Sequence, residues 1–145
     1  MSDVLTLSQI KMPGTARSKD DAIREAGEIL VDVDAVTPAY IDSMFDRERS
    51  VSTYMGNYLA IPHGTNESKE TIKRSALSVV RYREPIDWDG NQVLFALGIA
   101  GYQGGHMDIL SRIAIVFSDT DEVDKLVAAG SAQEIYDLLN AVNEE

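Results

Sequence analysis

The sequence contains no cysteine among its 145 residues. This absence excludes disulfide bonds, thiolate nucleophiles and cysteine-ligated zinc or iron–sulfur sites. Long apolar runs are also missing, since none approaches the roughly 20 residues of a membrane-spanning helix, and the amino terminus has no signal-peptide pattern. We therefore expect a cytoplasmic protein without direct membrane insertion. A chain of this length predicts one domain, residues 1–145, which can bury a core without a structural metal.

Basic residues are scarce, with 13 lysines and arginines against 24 aspartates and glutamates and a net charge of −11. Nucleic-acid binding requires a basic surface, so this balance argues against a nucleic-acid partner. An acidic field suits a basic protein partner, although most such charges simply keep a protein in solution.

The apolar patterns predict an α/β fold, a single domain with a mixed sheet of about four or five strands flanked by helices on both faces. Predicted strands cover residues 5–12, 58–61, 76–82 and 93–99. Residues 85–91 are predicted as a turn region in which Asp89-Gly90 favours a hairpin, and residues 66–74 as a loop or short helix. Helices are predicted after Ser18, Thr37, His106 and Ser131, with Ser18 and Ser131 placed as N-caps. A further short helix is predicted from Thr120 to Ala129.

Histidine is rare, and each of the two follows a predicted buried strand. His63 lies in a Pro-His-Gly turn after strand 58–61, and His106 follows the glycine-rich loop after strand 93–99. Open α/β sheets place functional groups beyond the carboxyl ends of their strands, so both imidazoles could lie at one edge. Such a pair suits proton transfer, metal binding or phosphoryl transfer, whereas a lone loop histidine is more often solvated or structural.

Motifs for several reactions are absent. No HxH or HExxH spacing is present, so a metal held by the histidines with Asp108 or Glu67 is the weakest alternative, and we expect no metal and no cofactor. The GxSxG elbow of a Ser-His-Asp hydrolase is missing. Gly104-Gly105 before His106 lacks the GxxxxGK[ST] pattern of a phosphate loop, although glycines before a helix can bind phosphate.

Two segments carry a specific resemblance, FDRERSVSTYMGNYLAIPHGT and, downstream, GIAGYQGGHMDILSRIAIVFSD. Together they resemble the enzyme IIA domain of the bacterial phosphoenolpyruvate-dependent sugar phosphotransferase system, fructose/mannitol type, over nearly the whole chain. The most specific feature is the PHGT run with Arg47 sixteen residues before His63. His106 makes the match mannitol-like, as in the free-standing mannitol IIA proteins of Gram-positive bacteria.

The resemblance implies a phosphoryl carrier in sugar uptake. His63 would accept the phosphoryl group from HPr as tele-phosphohistidine and pass it to a cysteine of enzyme IIB, which lies with the IIC permease on another chain. Arg47 would stabilise phosphoryl charge and His106 would donate a hydrogen bond, with Arg49 as a second candidate cation. Some relatives carry a glutamate where this chain has Asn57. The alternatives are a regulatory module whose phosphorylation is read by a partner, and a IIA for fructose or another sugar alcohol.

Overall fold

The computed structural model describes residues 4–65, 70–102 and 106–140, except the side chain of His106. This part of the chain forms a five-stranded mixed sheet and five α-helices, as the sequence predicts. None of these helices has the length and apolar character that crossing a bilayer requires. The strands are β1 (Ile10–Lys11), β2 (Tyr54–Gly56), β3 (Leu59–Ala60), β4 (Ala76–Trp88) and β5 (Asn91–Ala100). The helices are α1 (Lys19–Asp32), α2 (Ala39–Ser50), α3 (His106–Phe117), α4 (Thr120–Ala128) and α5 (Ala132–Leu139).

The strands lie in the order β1-β4-β5-β3-β2. β1 is parallel to β4 and β3 is parallel to β5, whereas β4 with β5 and β2 with β3 are antiparallel. Asp89 and Gly90 join β4 to β5 with φ angles of 55° and 93°, so the predicted hairpin is confirmed. Because β3 and β5 are neighbours running in one direction, the segments that follow them begin at the same edge of the sheet.

The two faces of the sheet carry different helices. On β5, the bulky side chains of Phe95, Leu97 and Ile99 pack into the core that includes α3, α4 and α5. The small side chains of Ala96 and Ala100 point to the opposite core, which contains residues of α1 and α2. Alternate residues of a strand face opposite sides, so this pattern lets α1 and α2 approach the sheet closely on one face.

Local capping explains where two helices begin. The Ser18 hydroxyl accepts from the Asp21 amide at 3.2 Å, and the Ser131 hydroxyl accepts from the Glu134 amide at the same distance. The Glu134 carboxylate in turn accepts from the Gly130 amide at 3.1 Å. Both serines thus satisfy a backbone donor that the first turn leaves unpaired, and both predicted N-caps are confirmed.

The predicted strand at residues 5–12 is too long. A 3₁₀ turn, Leu7–Gln9, interrupts it, and only Ile10–Lys11 pairs with β4 as a strand. The Gln9 side-chain amide donates to the carbonyls of Val4 (2.8 Å) and Leu77 (2.6 Å). This side chain takes over pairing that a strand would supply through its backbone, so the turn can form beside β4.

The predicted turn region at residues 85–91 is wrong over its first part. β4 continues to Trp88 after a register shift between Arg81 and Ile86, and both Ile86 and Trp88 are buried. Pro85 lies within the shift, where no ladder amide is needed. Burial on the sheet therefore overrides the local turn signal of proline.

Glu25 of α1 binds the loop before α1 and a residue of β4 through hydrogen bonds. Its buried carboxylate accepts from the amide (2.9 Å) and hydroxyl (2.8 Å) of Thr15 and from the Tyr82 hydroxyl (2.7 Å). The Lys11 ammonium lies 2.7 Å from the same carboxylate. Burial by itself raises the pKa of Glu25, but these hydrogen bonds outweigh it and lower the pKa to about 2.

Candidate functional site

His63 lies just beyond β3, at the carboxyl edge of the sheet. Its backbone forms an isolated parallel bridge with Ile99 of β5, and the Ile99 amide donates to the Pro62 carbonyl at 3.1 Å. Proline has no amide hydrogen and a fixed φ, which ends regular pairing at this point. The half-buried histidine is therefore held against the end of the neighbouring strand.

The imidazole of His63 has a defined hydrogen bond on one nitrogen. Nδ1 lies 2.8 Å from the Ile61 carbonyl oxygen. A carbonyl only accepts, so Nδ1 carries the proton, and the neutral ring then has its lone pair on Nε2. Because the partner is a neutral carbonyl, it fixes the tautomer without adding a charge. This arrangement suits a nucleophile that acts through Nε2.

Tyr40, on the first turn of α2, contacts the turn that carries His63. Its hydroxyl donates to the Ile99 carbonyl (2.6 Å) and accepts from the Gly64 amide (2.8 Å). The side chain is 2% exposed, and burial raises its pKa to about 12. The neutral phenol thus joins α2, β5 and the His63 turn.

Glu48, near the end of α2, is buried although its sequence neighbours are charged. Its carboxylate accepts from the Thr53 amide (2.9 Å), the Thr53 hydroxyl and the Trp88 indole (3.2 Å). The Lys19 ammonium lies 3.8 Å away. Buried carboxylates are costly unless such donors surround them, so this group fixes the path of the chain between α2 and β2.

Arg47 lies in the last turn of α2, and its guanidinium donates to the Val51 carbonyl at 2.9 Å. The chain after α2 runs antiparallel to the segment before His63, since the Ile61 amide donates to the Thr53 carbonyl at 3.0 Å. The Arg47 guanidinium thus contacts the segment that leads from α2 to Thr53, and Thr53 in turn pairs with Ile61, two residues before His63.

Arg49 and Asn57 have other partners. The Arg49 guanidinium pairs with Asp46 on the exposed surface of α2. The Asn57 side-chain amide donates to the Phe117 carbonyl at the end of α3 (2.7 Å). Asn57 precedes β3 whereas His63 follows it, so position 57 lies at the opposite end of that strand. β3 therefore separates a carboxylate at position 57 from the His63 turn.

His106 is the first residue of α3, the helix that follows β5. The carboxyl ends of β3 and β5 share one edge, and each histidine follows one of these two strands in the sequence. The side chain of His106 and residues 103–105 of the glycine-rich loop lie outside the described residues, as do residues 66–69. The described start of the loop is anchored by the Tyr102 amide, which donates to the Ser75 hydroxyl at 2.8 Å.

Sequence reasoning missed the polar roles of Tyr40 and Glu48. The helical spacing after Thr37 predicts that Tyr40 belongs to an apolar helix face and that Glu48 lies in a charged helix end, and it predicts no hydrogen-bond partner for either. The available signal for Tyr40 was that a buried tyrosine usually finds a partner for its hydroxyl. In the part of the chain that the structure describes, no group of three or more histidine, aspartate or glutamate side chains could hold a metal ion.

A comparison with protein families and curated proteins finds close relatives. The family model described as "Phosphoenolpyruvate-dependent sugar phosphotransferase system, EIIA 2" matches residues 3–142. A protein of Halalkalibacterium halodurans named mannitol-specific phosphotransferase enzyme IIA component is 50% identical over 141 residues. The alignment covers 97% of this chain and 97% of that protein.

Solved structures share the fold. The crystal structure of IIA mannitol from Escherichia coli superposes with a TM-score of 0.86 at 30% identity, covering 93% of this chain and 98% of that one. An Escherichia coli complex of enzyme IIA with phosphorylated enzyme IIB of the mannitol system also gives a TM-score of 0.86, at 29% identity. That match covers 93% of this chain and 96% of the other. The sheet and its flanking helices are thus common to all three structures.

Proposed function

Since the chain belongs to the EIIA 2 family of the phosphoenolpyruvate-dependent sugar phosphotransferase system, we propose that it is a phosphoryl carrier in sugar uptake. It accepts a phosphoryl group from HPr on Nε2 of His63 and passes it to a cysteine of enzyme IIB. The observation that carries the proposal is the 2.8 Å contact between Nδ1 and the Ile61 carbonyl, because it leaves the lone pair on Nε2. Mannitol is the proposed sugar, since the relative at 50% identity is named for it.

The transfer is a pair of in-line displacements at phosphorus. In the first, the Nε2 lone pair of His63 forms the new bond, and the bond to the donor breaks with its electron pair returning to HPr. In the second, the thiolate of enzyme IIB attacks phosphorus and His63 leaves as neutral imidazole. Nδ1 keeps its proton throughout, so the ring needs no proton transfer. The acceptor cysteine lies outside residues 1–145, which contain none.

Arg47 and His106 are proposed to stabilise the phosphoryl group. The Val51 carbonyl takes one N–H of Arg47, and a guanidinium has five, so the others can reach phosphoryl oxygens on the flank of His63. His106 begins α3 at the same edge of the sheet and would donate a ring N–H to a phosphoryl oxygen. The backbone amides of the first turn of α3 favour the same negative charge.

We propose that residues 1–145 act as one enzyme IIA domain in the cytoplasm, as expected for this family. Its net charge of −11 would attract a basic phosphoryl donor over distances of about one Debye length, ~8–10 Å. The acidic surface therefore supports transient exchange between protein partners.

Intact-mass measurement tests the carrier role. Incubation with phosphoenolpyruvate, enzyme I and HPr should add the mass of one phosphoryl group, with the acid-labile and base-stable behaviour of phosphohistidine. His63→Ala should lose the group while its circular dichroism stays that of the wild type. If His63→Ala is still phosphorylated at the normal rate, His63 is not the carrier. Adding mannitol enzyme IIB should then remove the group from the wild type; retention of the group would favour a regulatory module.

A further inference from the structure

Two routes of hydrogen bonds run from α2 to the turn that holds His63. On the first route, the buried Tyr40 hydroxyl donates to the Ile99 carbonyl and accepts from the Gly64 amide. Ile99 is also the residue whose backbone is bridged to His63. One side chain therefore fixes the turn both to the end of β5 and to α2, from the carboxyl side of the histidine.

The second route reaches His63 from its amino side. It starts at the Glu48 carboxylate, which is 6% exposed and accepts from the Thr53 amide and hydroxyl and from the Trp88 indole. The Thr53 carbonyl accepts from the Ile61 amide at 3.0 Å. The Ile61 carbonyl then accepts from Nδ1 of His63 at 2.8 Å. A buried carboxylate thus begins a sequence of hydrogen bonds that ends on the imidazole ring.

We propose that Tyr40 and Glu48 are positioning residues for His63, which hold its ring in the Nδ1–H tautomer with Nε2 presented for transfer. This inference rests on the proposed function, because the position of Nε2 matters for the rate only if His63 is the nucleophile. Displacing a reacting atom by about 1 Å can cost on the order of 10²-fold in rate. Loss of either group leaves buried backbone donors or acceptors unpaired, and the turn must shift to satisfy them.

Ser78 provides a matched control. Its buried hydroxyl donates to the Ala26 carbonyl of α1 (2.8 Å) and accepts from the Gly98 amide of β5 (3.2 Å). Like Tyr40, it joins a helix to β5 through two hydrogen bonds, but its partners lie on α1 and β5 rather than on the His63 turn. Ser78→Ala therefore reproduces the loss of a bridging hydroxyl in the same sheet without loosening the nucleophile.

The experiment compares the full-length Tyr40→Phe, Glu48→Leu, Glu48→Gln and Ser78→Ala variants. Long-range ¹H–¹⁵N NMR reports the tautomer of the His63 ring, and His106→Ala assigns the spectrum because the chain has two histidines. Transfer from phosphorylated HPr gives kcat and KM separately. We expect Tyr40→Phe and Glu48→Leu to raise the Nε2–H tautomer and to lower kcat by about tenfold, or about 1.4 kcal/mol, with little change in KM.

The remaining variants separate positioning from stability. Glu48→Gln keeps an acceptor oxygen for the Thr53 amide, so it should retain more of the Nδ1–H tautomer and more of kcat than Glu48→Leu. Ser78→Ala should lower Tm but leave the tautomer and kcat unchanged. Wild-type tautomer and kcat in both Tyr40→Phe and Glu48→Leu would overturn the inference, as would an equal loss of kcat in Ser78→Ala. If the wild-type protein is not phosphorylated, the proposed function fails, while the tautomer measurement still decides whether these residues position the ring.

Discussion

Replacing Glu25 with glutamine removes the charge of a carboxylate that five donors surround. Two of these donors are on Thr15, and the others are the Ala16 amide, the Tyr82 hydroxyl and the Lys11 ammonium. Glutamine has nearly the same size and keeps one acceptor oxygen, so the variant mainly tests the ionised form. We expect the fold to persist with a lower free energy of unfolding at neutral pH, because the loop before α1 is held less firmly.

The magnitude follows from the pKa. Lowering the pKa of Glu25 from 4.5 to about 2 corresponds to about 3 kcal/mol of stability at pH 7. For a chain of this size, losing that stability lowers Tm by about 10 °C. Because the folded-state pKa is the lower one, the stabilisation is fully present above pH 4.5 and is lost as the pH falls towards 2. At pH 3 about half of it should remain.

Urea unfolding of the wild type and of Glu25→Gln, measured from pH 7 to pH 3, tests this. The difference in free energy of unfolding should be constant down to about pH 5 and then shrink by about half at pH 3. Asp34→Asn is the control, because Lys73 lowers the pKa of Asp34 through an ion pair at an exposed site, where solvent screens the interaction. A pH-independent difference for Glu25→Gln, or an equal destabilisation by Asp34→Asn, would show that the ionised Glu25 carboxylate does not supply this stability.

Three further predictions concern the site and the packing of the loop before α1. Arg47→Gln should slow phosphoryl transfer by about 10²-fold, and Arg49→Gln by no more than about twofold, in stopped-flow assays; equal effects would overturn the assignment of Arg47. His106→Ala should still accept a phosphoryl group but should pass it on more slowly, by a factor of at most about 10². His106→Gln should show a smaller loss of rate. Phosphohistidine at position 106 in a chain lacking His63 would contradict this role. Gly14→Ala should cost about 1–3 kcal/mol in unfolding experiments, since its Cβ would lie 2.4 Å from a side-chain carbon of β4, whereas Gly130→Ala should stay within about 0.5 kcal/mol.

Local signals predicted the elements whose causes lie within a few residues. The Ser18 and Ser131 caps act over three positions, and the Asp89-Gly90 turn depends on its own backbone angles. The order of the segments and their periodicity predicted the fold class. The motif around His63 predicted the family, and the comparisons confirm that family. Each of these features is encoded in a continuous stretch of sequence.

Contacts between distant residues decided what the sequence did not show. β4 passes through Pro85 because Ile86 and Trp88 are buried against other elements, and the register shift removes the need for an amide at the proline. Similarly, Gln9 replaces part of an expected strand by binding Leu77, which lies 68 positions away. Local propensities cannot report such pairings, because the favourable burial and hydrogen bonding exist only after the sheet has formed.

His63 could be identified as the candidate nucleophile from local sequence, because it lies in a Pro-His-Gly turn after an apolar segment. How that residue is held became visible in the folded chain. Tyr40 forms hydrogen bonds with Gly64, 24 positions away in the sequence, and with Ile99, 59 positions away. Glu48 is a buried acceptor only because Trp88 and Thr53 donate hydrogen bonds to it in the folded chain. The sequence shows at which position of a helix a polar side chain lies. Its hydrogen-bond partners come from distant segments, which become its neighbours only when the chain has folded.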